Sequence, residues 1–415
     1  MKFLIVNKFL YPNGGSETYI FGLGSQLKAM GHEVQYFGME HPDRCVGNDA
    51  GAYTSNMDFH ATGGLKKLAL PFKIIYSLEA RRQIRKVLDD YNPDVVHLNN
   101  INFQITPSII YEIRAWNKGC RIIYTAHDYQ WICPNHMLYI PGNDRDACGK
   151  GQICYACKGG RYIECTKHKC IHGSLIRSLL GSIEGYYYKI RKTYSMVDVI
   201  LCPSRFIHEK LSDDPIIKDK LVFLRNFIGD TEPVPDTDAD AKSSDSPSRY
   251  VLYFGRLAME KGILTLIEAV KHMPDVNLVI AGSGPLNDEV QSQIKGYDNI
   301  SFVGFKKGEE LRRLISGAEF SVYPSEWYEN CPFSVMESIS LGTPVLGADI
   351  GGIPELLENG SGMLFKAGDV NDLREKIRHI WEDPELMKSM VDKCYSTRFM
   401  STGQYAEDYL DRIIS

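Results

Sequence analysis

The sequence has no long hydrophobic run. Its longest apolar stretches are about five residues, whereas a bilayer-spanning helix needs roughly 18. A spanning helix is therefore excluded. The opening segment is apolar only from Phe3 to Val6 before Asn7 and Lys8 interrupt it. A secretory core needs about 7–15 such residues, so no signal peptide is expected. An excess of one charge is also missing. Lys and Arg number 47 against 52 Asp and Glu, a net charge of −5, which does not supply the basic field of a nucleic-acid binder. No internal repeat is visible. What is present, 44% hydrophobic and 24% charged residues, is ordinary for a globular protein. It excludes a disordered chain, a collagen-like repeat and a small disulfide scaffold. At 415 residues, two or three domains of about 150 residues are expected. Without an export signal the expected compartment is the cytoplasm. There the 11 cysteines are thiols or metal ligands before they are disulfides.

Short apolar, β-branched runs recur, each followed by a longer helical pattern. Six fall in the first half: Phe3–Val6, Val34–Phe37, Val95–Leu98, Ile122–Thr125, Val199–Cys202 and Val222–Leu224. Six fall in the second: Tyr250–Phe254, Leu278–Ala281, Ile300–Val303, Phe320–Tyr323, Val345–Gly347 and Met363–Phe365. Continuous apolar strands separated by helices predict parallel sheets covered on both faces. The fold class is α/β, with two doubly wound Rossmann-like domains facing a central cleft. Residues 229–248 contain no large apolar side chain except Val234 and read as a polar linker. The expected domains are 1–228 and 249–397, with a last helix at about 398–415 packing back on the first. Ligands of such sheets bind beyond the carboxyl ends of the strands, so the loops there carry the chemistry.

The first such loop, Asn13-Gly14-Gly15-Ser16-Glu17, opens a helix. It suits an anion at free helix amides, or a tight turn with Ser16 as N-cap. The fourth strand ends in Thr125-Ala126-His127-Asp128-Tyr129. His127 there can donate to a sugar hydroxyl, or be a structural histidine held by a carbonyl. The second domain opens with Gly255-Arg256-Leu257 and Glu260-Lys261-Gly262. Arg256 and Lys261 can neutralise a diphosphate without a metal, or be solvated cations. Ala281-Gly282-Ser283-Gly284-Pro285 allows a close backbone approach. The most specific stretch runs from Glu329 to Glu337, with Asn330, Phe333 and Ser334 between them. With a helix beginning near Pro332, two carboxylates and a helix N-terminus face one crevice. Carboxylates accept from vicinal diols, and helix amides meet phosphates. Exposed helix charge is the bland alternative, weakened by the apolar run at residues 333–336.

On these residues, and on the Gly342-Thr343-Pro344-Val345 that follows, the chain resembles the family-4 retaining glycosyltransferases of GT-B fold. Their Glu-x7-Glu signature matches Glu329 and Glu337. The resemblance implies roles. Glu337 holds the nucleotide ribose and Glu329 the donor sugar. Arg256 and Lys261 hold the diphosphate, and backbone at Gly282 and from Asn330 through Phe333 to Ser334 meets the donor. Gly15 lies beside the diphosphate and acceptor, and His127 approaches the donor sugar. It implies no catalytic metal. The reaction it implies moves a hexose from a nucleoside-diphosphate sugar, UDP-linked by preference, to a hydroxyl with retention. A carboxylate nucleophile would explain retention. None is evident in the sequence, so a same-face path is adopted in which the leaving phosphate takes the acceptor's proton.

Six cysteines lie between Cys133 and Cys170, in an insertion of about 133–172 that a subset of the family carries. Cys154, Cys157, Cys165 and Cys170 suit a structural zinc, with free thiols or disulfides as the other reading. Residues 158–192 carry eight Lys or Arg interleaved with Leu175, Ile176, Leu179, Leu180 and Ile183. Such a face suits an anionic membrane surface, or is an ordinary amphipathic helix. The former fits a lipid-linked acceptor in capsule or O-antigen assembly, with the protein peripheral on the inner face of the plasma membrane. Two other classes compete. A nucleotide-sugar 2-epimerase would share the architecture and need no acceptor. A zinc module binding nucleic acid would need a basic surface that the net charge disfavours.

Overall fold

The computed structural model describes residues 1–56, 75–102, 105–139, 154–229 and 249–414. The linker expected at 229–248 lies, beyond Gly229, outside the described residues, as do 140–153 of the cysteine-rich insertion. The described residues divide into two compact units. One takes residues up to 227 together with those from 402 onward, and the other takes 228–401.

The first unit runs β1 (Lys2–Val6), α1 (Gly15–Ala29), β2 (Glu33–Phe37), α2 (Leu78–Tyr91), β3 (Val95–Leu98), α3 (Ile109–Trp116) and β4 (Arg121–Thr125). It continues with α4 (Ile163–Lys167), α5 (Leu175–Ile190), β5 (Val199–Cys202), α6 (Arg205–Ser212) and β6 (Leu221–Phe223). The six strands are parallel in the order β2-β1-β3-β4-β5-β6. The apolar runs fill the sheet from both faces, and Phe3, Leu4, Ile5 and Val6 are fully buried. The sixth strand starts one residue earlier than its apolar run suggests and is only half-buried, as an edge strand can be.

The second unit runs β7 (Val251–Arg256), α7 (Ile263–Val270), β8 (Leu278–Ser283), α8 (Asn287–Ile294), β9 (Ile300–Gly304), α9 (Gly308–Ser316) and β10 (Phe320–Tyr323). Then come α10 (Phe333–Ser340), β11 (Val345–Ala348), α11 (Ile353–Leu357), β12 (Gly362–Phe365), α12 (Val370–Glu382) and α13 (Pro384–Ser396). Its strands follow the order β12-β11-β10-β7-β8-β9. In both sheets the first strand lies beside one from later in the chain, β1 next to β3 and β7 next to β10. These are the two points where the winding reverses and a crevice opens at the strand ends.

The last helix, α14 (Thr402–Ile414), belongs to the first unit. A buried chain of hydrogen bonds ties it there. Tyr405 Oη lies 2.8 Å from Tyr19 Oη, which lies 3.2 Å from Thr125 Oγ1. Thr125 Oγ1 is 2.8 Å from His97 Nε2, and His97 Nδ1 is 3.2 Å from Tyr409 Oη. Each polar group inside this core is thereby partnered, which a buried hydroxyl or imidazole requires.

Candidate functional site

In the second unit the crevice between β7 and β10 gathers the motif residues. Arg256 ends β7 and is exposed, and among the described residues its guanidinium forms no ion pair. Gly282, near the end of β8, pairs in register with Gly255. A Cβ on it would lie 2.0 Å from Gly255 O, so the strand ends approach as only glycine permits.

The loop after β10 holds Glu329, which is 6% exposed. Its Oε1 accepts from Lys261 Nζ at 2.5 Å, from Trp327 Nε1 at 2.7 Å and from Ser325 Oγ at 3.0 Å. Burial disfavours the Lys261 cation, but the Glu329 charge outweighs it and raises the ammonium above its usual range. The other carboxylate oxygen of Glu329 accepts nothing among the described residues. Gly351, at φ 63°, closes over this loop. A Cβ there would meet Glu329 O at 2.3 Å, and the neighbouring Gly352 N–H donates to that oxygen at 2.7 Å.

Asn330 and Cys331 lead into α10, whose N-cap is Pro332 and whose first turn, at Phe333 and Ser334, receives no side-chain cap. A helix N-terminus is the kind of element that can meet an anion with its first-turn amides. Glu337 lies one turn in and is half-buried. Its carboxylate has no hydrogen bond or ion pair among the described residues, and burial raises its pKa. Two carboxylates, one tied down and one unengaged, thus flank a helix N-terminus.

In the first unit, Gly15 is the first residue of α1, and Gly14, not Ser16, is its N-cap. Ser16 Oγ instead donates to Glu17 Oε1 at 2.8 Å and accepts from Asn100 Nδ2 at 2.8 Å. Glu17 is 2% exposed, also accepts from Asn7 Nδ2 at 2.7 Å, and is raised in pKa by burial. His127 Nε2 lies 2.9 Å from Asn99 Oδ1, and its ring meets Tyr19 edge to face at 5.1 Å. Burial depresses the imidazole to about 4, so it is neutral near pH 7. With Asn99 Oδ1 accepting, Nε2 carries the proton and Nδ1 is the remaining acceptor.

Sequence reasoning gave no role to Glu17, His97, Asn99, Ser325 or Trp327, and none to Glu184. Glu184 lines a small pocket together with Gln130, His136, Tyr162 and Tyr188. Burial pushes its carboxyl up to about 7, against the charge of His136. Nothing in the motifs marks it, because it is an isolated acid within a helix.

Three of the four cysteines expected to hold zinc pack into one buried cluster. Cys157, Cys165 and Cys170 are buried with Tyr162, and Cys154 is half-buried. Burial pushes the Cys157 thiol up to about 12. Among the described residues no group of three or more His, Cys, Asp or Glu side chains is arranged to hold a metal. The zinc expectation therefore gains no ligand set. No helix among the described residues is long and apolar enough to cross a membrane.

Two family models match the chain, Glycosyltransferase Family 4 over residues 13–147 and Glycosyl transferases group 1 over residues 236–397. An uncharacterized glycosyltransferase of Methanocaldococcus jannaschii is 26% identical over 55% of this chain and 63% of its own. The match thus spans less than two thirds of that relative, and the alpha-D-kanosaminyltransferase of Streptomyces kanamyceticus, 30% identical over 38% of this chain, is covered over 44%. An uncharacterized 42.6 kDa protein in the cps region of Klebsiella pneumoniae is 23% identical over 86% of this chain and 87% of its own. Among solved structures, Anabaena HepE in complex with UDP superposes with a TM-score of 0.67 at 14% identity, covering 100% of both chains. The chain belongs to the group 1, family 4 glycosyltransferases and has their GT-B pair of Rossmann-like units.

Proposed function

We propose that the protein is a retaining glycosyltransferase. It moves a sugar from a nucleoside-diphosphate donor to a hydroxyl of a growing, lipid-linked cell-surface glycan. The observation that carries this reading is Glu337, a half-buried carboxylate with no partner among the described residues, one turn inside an uncapped helix N-terminus. A ribose diol satisfies such a carboxylate, and a diphosphate satisfies the helix amides. Arg256, exposed and without an ion pair among the described residues, supplies the fork for the phosphate oxygens. Glu329, held by three donors on one oxygen, offers the other oxygen to a donor-sugar hydroxyl. UDP is the favoured nucleotide, as HepE is a GT-B neighbour that holds UDP. The cps-region relative favours a surface polysaccharide as the product.

Retention follows if acceptor attack and phosphate departure share one face of the sugar, with the departing phosphate taking the acceptor's proton. Arg256 and the α10 amides stabilise the charge that develops on that phosphate.

The test is thermal unfolding with UDP-, GDP-, dTDP- and ADP-sugars, with Arg256→Ala as the control. A ligand at 100 times its dissociation constant adds about 2.7 kcal/mol of stability. A shift with one nucleotide class that the control loses supports the donor site. No shift with any nucleotide refutes it.

A further inference from the structure

Among the described residues, seven of the thirteen large apolar side chains that stand exposed fall between Tyr155 and Ile190. Five are on α5: Leu175, Ile176, Leu179, Ile183 and Ile190, with Ile176 at 70% and Ile190 at 77% exposure. Leu175, Leu179 and Ile183 are spaced i, i+4, i+8, so they form one stripe along the helix. The opposite face does the packing. Ser178, Gly181, Ser182 and Tyr188 are buried, and Ser182 Oγ lies 2.7 Å from Thr166 Oγ1. A Cβ at Gly185 would meet the Tyr162 ring at 2.7 Å. The helix is thus docked by its small and polar side and turns its aliphatic side outward, the reverse of an ordinary surface helix. Its own length, 16 residues or about 24 Å, suits lying in an interface and not crossing one.

Exposed cations flank the stripe, and Glu164 on the neighbouring α4 is paired with Lys167. Lys169, Arg177, Arg191 and Lys192 are exposed and form no ion pair among the described residues. The one acid on the helix is Glu184, whose Oε1 is buried on the packing side. A second copy of this face would bring like charges together, whereas anionic headgroups complement them.

We propose that α5 is an interfacial docking helix that seats the protein on an anionic phospholipid bilayer through Leu175, Ile176, Leu179 and Ile183. The aliphatic side chains enter the acyl boundary and the flanking cations meet phosphate headgroups. This goes beyond the transferase reading and stands whether or not the donor is a nucleotide sugar.

The experiment is co-sedimentation of the full chain with vesicles of phosphatidylcholine alone or with about 30 mol% phosphatidylglycerol. Binding is expected to the anionic vesicles only, and to weaken in about 0.5 M salt. The double variant Ile176→Ser, Ile183→Ser is expected to partition roughly tenfold or more weakly. Arg177→Glu with Arg191→Glu is expected to abolish the preference for anionic lipid. Both variants are expected to keep the wild-type melting temperature, since the substituted side chains are exposed. Sedimentation that ignores lipid charge, absence of binding at low salt, or unchanged binding by the folded double variant overturns the proposal. So does a wild-type dimer in light scattering that the serine variant makes monomeric while neither binds vesicles.

Discussion

Lys261 Nζ lies 2.5 Å from Glu329 Oε1, so the cation expected to meet phosphate is tied to the carboxylate expected to meet sugar. Removing either partner leaves the other uncompensated in a crevice. The Glu329 side chain keeps 7% of its surface and that of Lys261 keeps 20%. The cost therefore sits near the low end for a buried pair, about 3 kcal/mol for Lys261→Met or Glu329→Gln alone. The double variant is expected to cost less than the sum, with a coupling of about 1–3 kcal/mol. Urea unfolding of the four proteins measures this, and strict additivity would show that the pair does not act as a unit.

The two glutamates are expected to separate in function. Glu337→Ala removes a carboxylate with no partner among the described residues, so stability is expected to move by less than about 0.5 kcal/mol. Nucleotide affinity is expected to fall at least about tenfold, or 1.4 kcal/mol. Glu329→Ala is expected to abolish sugar transfer while keeping part of the nucleotide-induced melting shift. If both variants transfer sugar at the wild-type rate, the site is elsewhere.

The glycine over Glu329 gives a backbone test. Gly351→Ala forces a Cβ to within 2.3 Å of Glu329 O at a positive φ. Gly360 also has positive φ, but its Cβ would only touch Lys393 Cγ at 3.7 Å. Gly360→Ala is expected to cost about 1 kcal/mol for the left-handed conformation alone. Gly351→Ala is expected to cost more and to lower kcat/KM as well, because it displaces the Glu329 loop. Equal losses in the two variants, with activity kept, would mean the contact does not position Glu329.

How far the sequence could be read follows from the range of the forces involved. All twelve strands were legible because a strand buried on both faces must be apolar along its length. The Glu329–Glu337 spacing was legible because a loop and the first helical turn set it locally. The network that holds α14 was not, since Tyr405 meets Tyr19 across 386 positions and Tyr409 meets His97 across 312. The pairing of Lys261 with Glu329, 68 positions apart, was hidden for the same reason. Ser16 looked like an N-cap because its residue type favours one. The buried Glu17 competes for its hydroxyl, and Gly14 takes the position.

Two buried groups tilt the dependence of stability on pH in opposite directions. His97 is 1% exposed, and burial depresses it to about 3, while the unfolded imidazole titrates near 6.5. Between those values the unfolded chain holds the extra proton, so stability is lost as pH falls. Glu184 is raised by burial to about 7, against about 4.3 unfolded. Between those values the folded chain holds the extra proton, so stability is lost as pH rises. Each slope is at most about 1.4 kcal/mol per pH unit, and near pH 5.5 they oppose one another. Relative to wild type, His97→Gln is therefore expected to gain stability steadily as pH is lowered from 6.5 to 5. Glu184→Gln is expected to gain as pH is raised from 5 to 7. Urea unfolding at pH 5, 6 and 7 reads both differences, and a difference from wild type that stays constant with pH shows that the group does not titrate as its burial dictates.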